Sequence, residues 1–312
     1  MPKKNEIKAN AVGRSGSKSG IVAIAGLPNV GKSTLLNTLL GQKLSIVSRK
    51  AQTTRQQVLG ILTGEDYQIV FLDTPGVIQP RDKLQEFMTQ ASFKAVSGAD
   101  LVIVMVEATE PDIIADRQLL ERISRVDVPR FLTINKVDLV KKPALLPLIA
   151  EYADTGLFEE ILPISALKGE GLDELLGAVV KRLPEGPFLY SEDQLATQPI
   201  RFFAAELIRE TLYEFLHDEL PYATTVLVED FKERGGNKIY IKAIIYTERD
   251  SQKKIIIGRK GEQLKRIGRA ARAKIEDFVE SGVYLDLWVK VRQKWRKNDF
   301  FLKTVGYSRR NL

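Results

Sequence analysis

The 312-residue chain is 44% hydrophobic and carries 47 lysines and arginines against 40 aspartates and glutamates, with no cysteine and one histidine, His217. That length holds two packed cores; the lack of cysteine excludes disulfides and thiolate metal sites, and a lone histidine cannot build a zinc cluster or a serine-type triad. Every apolar run is broken by charge within about ten residues, short of the ~18–20 a membrane span needs, which points to a soluble protein of a reducing cytoplasm.

The net charge of +7 is uneven: residues 1–20 carry +4, 21–182 carry −2, 183–200 carry −3 and 201–312 carry +8. A basic C-terminal part beside a neutral middle suggests that one half meets a polyanion. Residues 1–20, with Lys3, Lys4, Lys8, Arg14 and Lys18 among Gly and Ser, read as a disordered basic arm without the apolar core of a signal peptide. From 21 to 183, apolar runs at 21–25, 69–72, 101–106, 131–134 and 161–164 alternate with helix-period segments such as 32–40 and 172–183. That alternation predicts an α/β domain with a mostly parallel sheet covered on both faces. Residues 184–199, opened by Pro184, Gly186 and Pro187, read as a linker, and 200–312 as a second, smaller domain.

Gly26-Leu27-Pro28-Asn29-Val30-Gly31-Lys32-Ser33 follows a predicted strand and opens a helix, the context in which GxxxxGK[ST] is a phosphate loop. Glycines at both ends let backbone N–H groups wrap phosphates, and the helix N-terminus adds positive potential. Lys32 is placed to reach the β and γ phosphates and Ser33 to ligate magnesium, with Thr34 next along the helix. Asp73-Thr74-Pro75-Gly76 ends the strand before it. The Asp73 carboxylate is expected to reach magnesium from the outer shell, and the Gly76 N–H to donate to the γ-phosphate. Of Thr53 and Thr54 in the preceding loop, Thr54 is the favoured closing ligand. Asn135-Lys136-Val137-Asp138 ends another strand, and a carboxylate there accepts both donors of guanine but faces an acceptor in adenine, so Asp138 selects GTP. Ser165-Ala166-Leu167 after the next strand supplies a backbone donor to the guanine oxygen. Lys32, Thr54 and Gly76 are the residues expected to act on the reacting phosphate.

With these motifs across 26–167, and the run from Gly41 to Arg55, the chain resembles the translation-factor-related GTPases and, among them, the Era family of ribosome-assembly GTPases. The resemblance implies a six-stranded sheet with an antiparallel edge strand near 58–62. Where Ras-like enzymes place a water-orienting glutamine, this chain has Val77, so slow intrinsic turnover is expected. Related GTPases with an apolar residue there often use potassium held by a phosphate-loop asparagine. Asn29 matches that position, and the alternative is a plain left-handed loop residue. Arg55 reads as a surface pair in preference to an internal arginine finger.

Residues 253–274 hold nine lysines and arginines against one glutamate, around Gly258-Arg259-Lys260-Gly261. A GxxG loop before a helix brings backbone N–H groups against a nucleic-acid strand, as in KH domains. The candidate RNA contacts are Ile257, Gly258, Arg259, Lys260, Gly261, Lys265, Arg266 and Arg269. The following helix buries Leu264, Ile267, Ala271, Ile275 and Phe278, leaving those cations outward. An amphipathic segment at 200–216, strands near 224–231 and 238–246, the loop, a helix and a last strand at 283–291 reproduce a type II KH order, as the Era family has. The resemblance implies the 3′ end of small-subunit ribosomal RNA and the small ribosomal subunit as partners, with peripheral contact on the inner face of the cell membrane. Docking of the basic domain on a protein or membrane surface, and a passive RNA module using GTP only for stability, are the competing readings. The aromatics of the tail, Trp295, Phe300 and Phe301, read as packing against the domain.

Overall fold

The computed structural model describes residues 16–307 apart from 49, 51, 78, 110–112 and 235–237; most of the expected N-terminal arm lies outside the described residues. Its last residues do not extend the arm, since strand β1 (Lys18–Gly26) already begins at Lys18. Strands β2 (Val58–Thr63), β3 (Tyr67–Asp73), β4 (Leu101–Glu107), β5 (Arg130–Asn135) and β6 (Glu160–Pro163) complete a six-stranded sheet in the order β2-β3-β1-β4-β5-β6. Only β2 is antiparallel to its neighbour.

Alternation along β1 builds two cores, because neighbouring side chains of a strand point to opposite faces. Val22 and Ile24 pack beneath helices α1 (Lys32–Leu40) and α5 (Leu172–Arg182), with Leu35, Leu36, Leu175 and Val179. Ala23 and Ala25 face helices α2 (Lys83–Gly98), α3 (Ile113–Ser124) and α4 (Lys142–Ala153). The short alanines leave room for Ala95 and Val96 of α2 and for Leu148 and Tyr152 of α4.

The second unit has helices α6 (Ile200–Phe215), α7 (Leu220–Ala223), α8 (Asp250–Ile257) and α9 (Glu262–Val279) on one face of a three-stranded sheet. That sheet pairs β7 (Thr225–Arg234) antiparallel to β8 (Lys238–Thr247), and β8 parallel to β9 (Gly282–Val291). The expected order runs from the strand near 238–246 straight to the GxxG loop; α8 intervenes, with Ile256 of its β-branched end packed into the core.

Residues 184–199 are not a free tether. They lie as a strap along the sheet: Gly186 N–H donates to Ser17, Ser19 N–H to Pro184, and Ile61 N–H on the outer edge of β2 to Leu195 at 2.8 Å. The buried Gln68 amide holds the strap's middle, its Oε1 accepting from the N–H groups of Leu189 and Tyr190 at 2.7 and 2.8 Å. The two units also share a core. Leu84, Phe87, Met88 and Ala91 of α2 pack with Trp295, Phe301 of helix α10 (Asp299–Thr304), Val305 and Tyr307. The tail aromatics Trp295 and Phe301 therefore pack across to the first unit, while Phe300 stays exposed.

Candidate functional site

The strand ends of the large sheet converge on a cavity of about 720 Å³ lined by Pro28, Asn29, Gly31, Lys32, Ser33, Thr34, Thr54, Gly76, Asn135, Lys136, Asp138, Ser165 and Leu167 among others. Gly26, Val30, Asp73, Thr74, Pro75 and Ala166 are not on its wall. They hold it from behind: Thr74 Oγ1 donates to Ile24 O at 2.8 Å, and Val77 N–H to Gly26 O at 3.2 Å. Glycine is required at two of these positions. Gly31 has φ +107° and a Cβ there would stand 2.2 Å from Asn135 Nδ2; at Gly76 it would stand 2.7 Å from the Pro28 nitrogen. Asn29 adopts a left-handed φ of 67°.

Asn135 is a strut. Its Nδ2 donates to Val30 O at 2.7 Å and its Oδ1 accepts from Ala166 N–H at 2.9 Å, tying the phosphate loop to the Ser165-Ala166-Leu167 turn. Ser165 Oγ donates to Asp138 Oδ1 at 2.6 Å, fixing one carboxylate oxygen at the base end of the cavity. Two lining residues there escaped the sequence reading: Glu107, which pairs with Lys136, and Leu139, which with Leu167 stands solvent-exposed at the mouth. Neither belongs to a motif string, and only the strand-end position of Glu107 pointed to it.

At the phosphate end, Lys32 Nζ donates to the carbonyls of Gly26 and Leu27 at 3.2 and 2.7 Å. Burial lowers its pKa to about 8, against the attraction of Asp73. Burial likewise pushes the Asp73 carboxyl above its ordinary value, opposed by the Lys32 charge and the Ser33 hydroxyl. Ser33 Oγ lies 2.8 Å from both Asp73 Oδ2 and Thr54 Oγ1, and Asp73 Oδ1 is buried with no hydrogen-bond partner. Two hydroxyls and a carboxylate with an unmatched oxygen form the hard donor set that suits magnesium. Of the two candidate threonines, only Thr54 brings its hydroxyl here, while Thr53 offers its carbonyl to Arg209.

Arg55 is not a surface pair. It is buried in the second unit, donating to Thr224 O at 2.6 Å, Pro221 O at 3.1 Å, Tyr222 O at 3.2 Å and Tyr213 Oη at 3.1 Å. Its guanidinium lies 5.9 Å from the Tyr213 and Trp295 ring centroids. The finger alternative has no geometric support either, since the group points away from the cavity. Val77 is buried in the core behind the site, and its N–H is already bonded to Gly26.

The candidate RNA contacts lie on the other unit. Gly258 has φ +73° and a Cβ there would stand 2.7 Å from Gln263 Cβ; Lys260 and Gly261 also have positive φ, so the loop makes a tight turn. Arg259, Lys260, Lys265, Arg266 and Arg269 are exposed, with Ile257 and Gly258 half-buried beside them. The Arg266 guanidinium is held over the Phe215 ring at 5.7 Å, so one of these cations is oriented by the domain itself.

Comparison with known proteins agrees with both units. The family described as 50S ribosome-binding GTPase matches residues 21–136, and the KH domain family matches 219–296. The chain is 47% identical to GTPase Era of Lacticaseibacillus paracasei, over 94% of this chain and 98% of that one, and 47% identical to GTPase Era of Geobacter metallireducens over 93% and 98%. Among solved structures, a variant of Aquifex aeolicus Era bound to GDP and aluminium fluoride superposes with a TM-score of 0.90 at 41% identity, covering 93% of this chain and 99% of that one. A structure of Era in complex with MgGDPNP and nucleotides 1506–1542 of 16S ribosomal RNA superposes with a TM-score of 0.91 at 41% identity, covering 94% and 99%. Near-full-length identity of this size, with the GxxxxGKS loop, the Asn135–Asp138 motif and the GxxG loop all present, means that the chain belongs to the Era family of GTPases.

Proposed function

We propose that this GTPase is a nucleotide-gated switch that binds the 3′ end of small-subunit ribosomal RNA during assembly of the small ribosomal subunit. The observation that carries the RNA half is the turn at Gly258–Gly261, with Arg259 and Lys260 projecting into solvent ahead of the cationic face of α9. Era in the 16S RNA complex superposes over nearly the whole chain, which supports the same class of ligand here.

In hydrolysis the chain's own groups position and neutralise. Lys32, already directed along the phosphate loop, meets the β and γ oxygens. A Cβ at Gly76 would stand 2.7 Å from the Pro28 nitrogen, so glycine alone fits this close approach, and its N–H would donate to the γ oxygen. Asp138 accepts the two guanine donors while Ser165 fixes its carboxylate, and the buried Asn135 keeps base and phosphate loops in register. Ser33, Thr54 and Asp73 would hold magnesium, which would supply positive charge to offset the negative charge that develops as the phosphate bond breaks. With Val77 buried, no side chain at that position orients water, and slow turnover follows. The left-handed Asn29 at the cavity wall is the residue we assign to a potassium ion, tested by comparing turnover in potassium and sodium chloride.

The test is binding of a 3′-end ribosomal oligonucleotide with GDPNP and with GDP, at two salt concentrations. Tighter binding with GDPNP and a steep salt slope support the reading, since each phosphate contact on a single strand releases counterions and adds about 0.7 to the log–log slope. Equal affinity in both states would reduce the protein to a passive RNA module. Loss of binding in Gly258→Asp separates the GxxG loop from non-specific cationic contact. Anionic vesicles run in parallel test peripheral contact with the inner face of the cell membrane. Among the described residues, no helix is long and apolar enough to cross one.

A further inference from the structure

Thr54 meets Ser33 and Asp73 through its side chain, but the backbone that carries it is held from the other unit. Immediately before it, the Thr53 carbonyl accepts from Arg209 Nη2, and the Gln52 carbonyl accepts from the Tyr213 hydroxyl at 3.1 Å. Immediately after it, the Arg55 side chain is anchored among the α7 carbonyls and on the same Tyr213 hydroxyl. Three residues, Gln52, Thr53 and Arg55, are thus gripped on both sides of Thr54 by groups of the RNA-binding domain. Further back, Lys43 pairs with the buried Glu210 of α6 at 2.7 Å, and Lys50 donates to the carbonyls of Tyr213 and Leu216.

Two details separate this from ordinary interface packing. Gln52 sits at φ 59°, a left-handed conformation that a non-glycine residue holds only when its surroundings impose it, and the hydroxyl on its carbonyl comes from Tyr213. Arg209 is itself held rigidly, with Nε and Nη2 on Glu206 at 2.9 and 2.5 Å and its guanidinium 5.6 Å from the Tyr213 ring centroid, yet its Nη1 is buried with no hydrogen-bond partner. An unmatched buried donor on a cation costs stability, so an arginine kept for packing alone would be poorly chosen here.

We propose that Arg209 and Tyr213 of the RNA-binding domain are positioning residues for GTP hydrolysis, holding Thr54 over the magnesium and γ-phosphate positions by gripping the Thr53 and Gln52 carbonyls. This rests on the assignment of Thr54 to those positions given above. The second domain then completes the nucleotide site, and a displacement of α6 moves Thr54 without touching the phosphate loop. GDP, which lacks the group Thr54 closes on, is indifferent to the grip.

The experiment uses the full chain with Arg209→Met, Tyr213→Phe and, as reference, Thr54→Ala. Affinities for fluorescent GDPNP and GDP are measured across a magnesium titration, with hydrogen exchange of the 43–55 amides in each complex. The expected result is that all three variants lose about tenfold or more of GDPNP affinity, the scale of one charge-assisted or metal-linked contact, with GDP affinity unchanged. They should also require more magnesium, and both domain variants should exchange faster at 43–55 only in the GDPNP complex. Tyr213→Phe keeps the ring under both guanidinium groups, so it decides the matter if Arg209→Met fails to fold. If Thr54→Ala discriminates the two nucleotides as wild type does, the Thr54 assignment itself falls. If Thr54→Ala loses discrimination but Tyr213→Phe keeps wild-type GDPNP affinity and exchange, Thr54 stands and the positioning role is overturned.

Discussion

Lys32 is buried against two loop carbonyls with its pKa lowered to about 8, so nucleotide binding should draw a proton from solvent at mildly alkaline pH. The triphosphate restores the ammonium's favoured state, because an opposite charge at contact distance raises an amine pKa. At pH 8.5 a group of pKa about 8 is roughly three-quarters neutral, so binding should take up ~0.8 proton; by pH 9 affinity should fall about tenfold from its neutral-pH value, ~1.4 kcal/mol per unit. Titration calorimetry of GDP binding at pH 8.5, in buffers of different ionisation enthalpy, reads that uptake directly, and at pH 7.5, still above the second pKa, about 6, of a terminal phosphate, the uptake should fall to about a quarter of a proton. The sign for stability follows from the same shift. The folded pKa lies below the unfolded value of 10.5, so burying Lys32 costs stability below pH 8, and that cost is relieved as pH rises from about 8 towards 10.5 in the nucleotide-free protein. Absence of any buffer dependence at pH 8.5 would refute the reasoning, meaning that Asp73 and the loop carbonyls keep the ammonium charged despite its burial.

Gly31→Ala should weaken GTP and GDP alike by about a hundredfold or more, since its Cβ meets Asn135 at 2.2 Å in a left-handed backbone worth ~1–3 kcal/mol of strain; equilibrium binding checks it. Asn135→Ala strands the Val30 carbonyl and the Ala166 N–H, at ~1–3 kcal/mol for each buried group left unpaired. Stopped-flow release of fluorescent GDP should be at least ten times faster, and an unchanged rate would deny the strut its role. Trp295→Ala removes a fully buried ring that joins α2 to the tail and donates to Ala223 O at 2.9 Å. A loss of ~3–5 kcal/mol is expected, with thermal unfolding splitting into two calorimetric transitions where the wild type shows one.

The parts of the site that face the nucleotide were legible because each motif is short, contiguous and sits at a strand end, where the topology of a parallel sheet collects them. The GxxG turn was legible for the same reason. What joins the two domains was not. Arg55 read as a surface charge, as most arginines are, and nothing local marks that its partners, or those of Arg209, include carbonyls more than 150 residues away. No motif marks Gln68, and only the strap that it holds explains a buried amide there. Helix α8 before the GxxG loop was not legible, since its Ile255-Ile256-Ile257 run is β-branched and favours strands until a tertiary core claims one face of a helix.

The strap over 184–199 also bears on how the protein behaves at high concentration. β2 is the outermost strand of the large sheet, and its unpaired backbone groups offer a template on which another chain could add a strand. By seating Leu195 and Ala196 against Ile61 and Gly60, with Gln198 reaching the Gln57 carbonyl, the chain occupies the middle of that template with its own backbone. The connection between domains thus doubles as a guard against fibril-like self-association, and lengthening it with flexible residues would expose a sticky border that the shorter strap keeps shut.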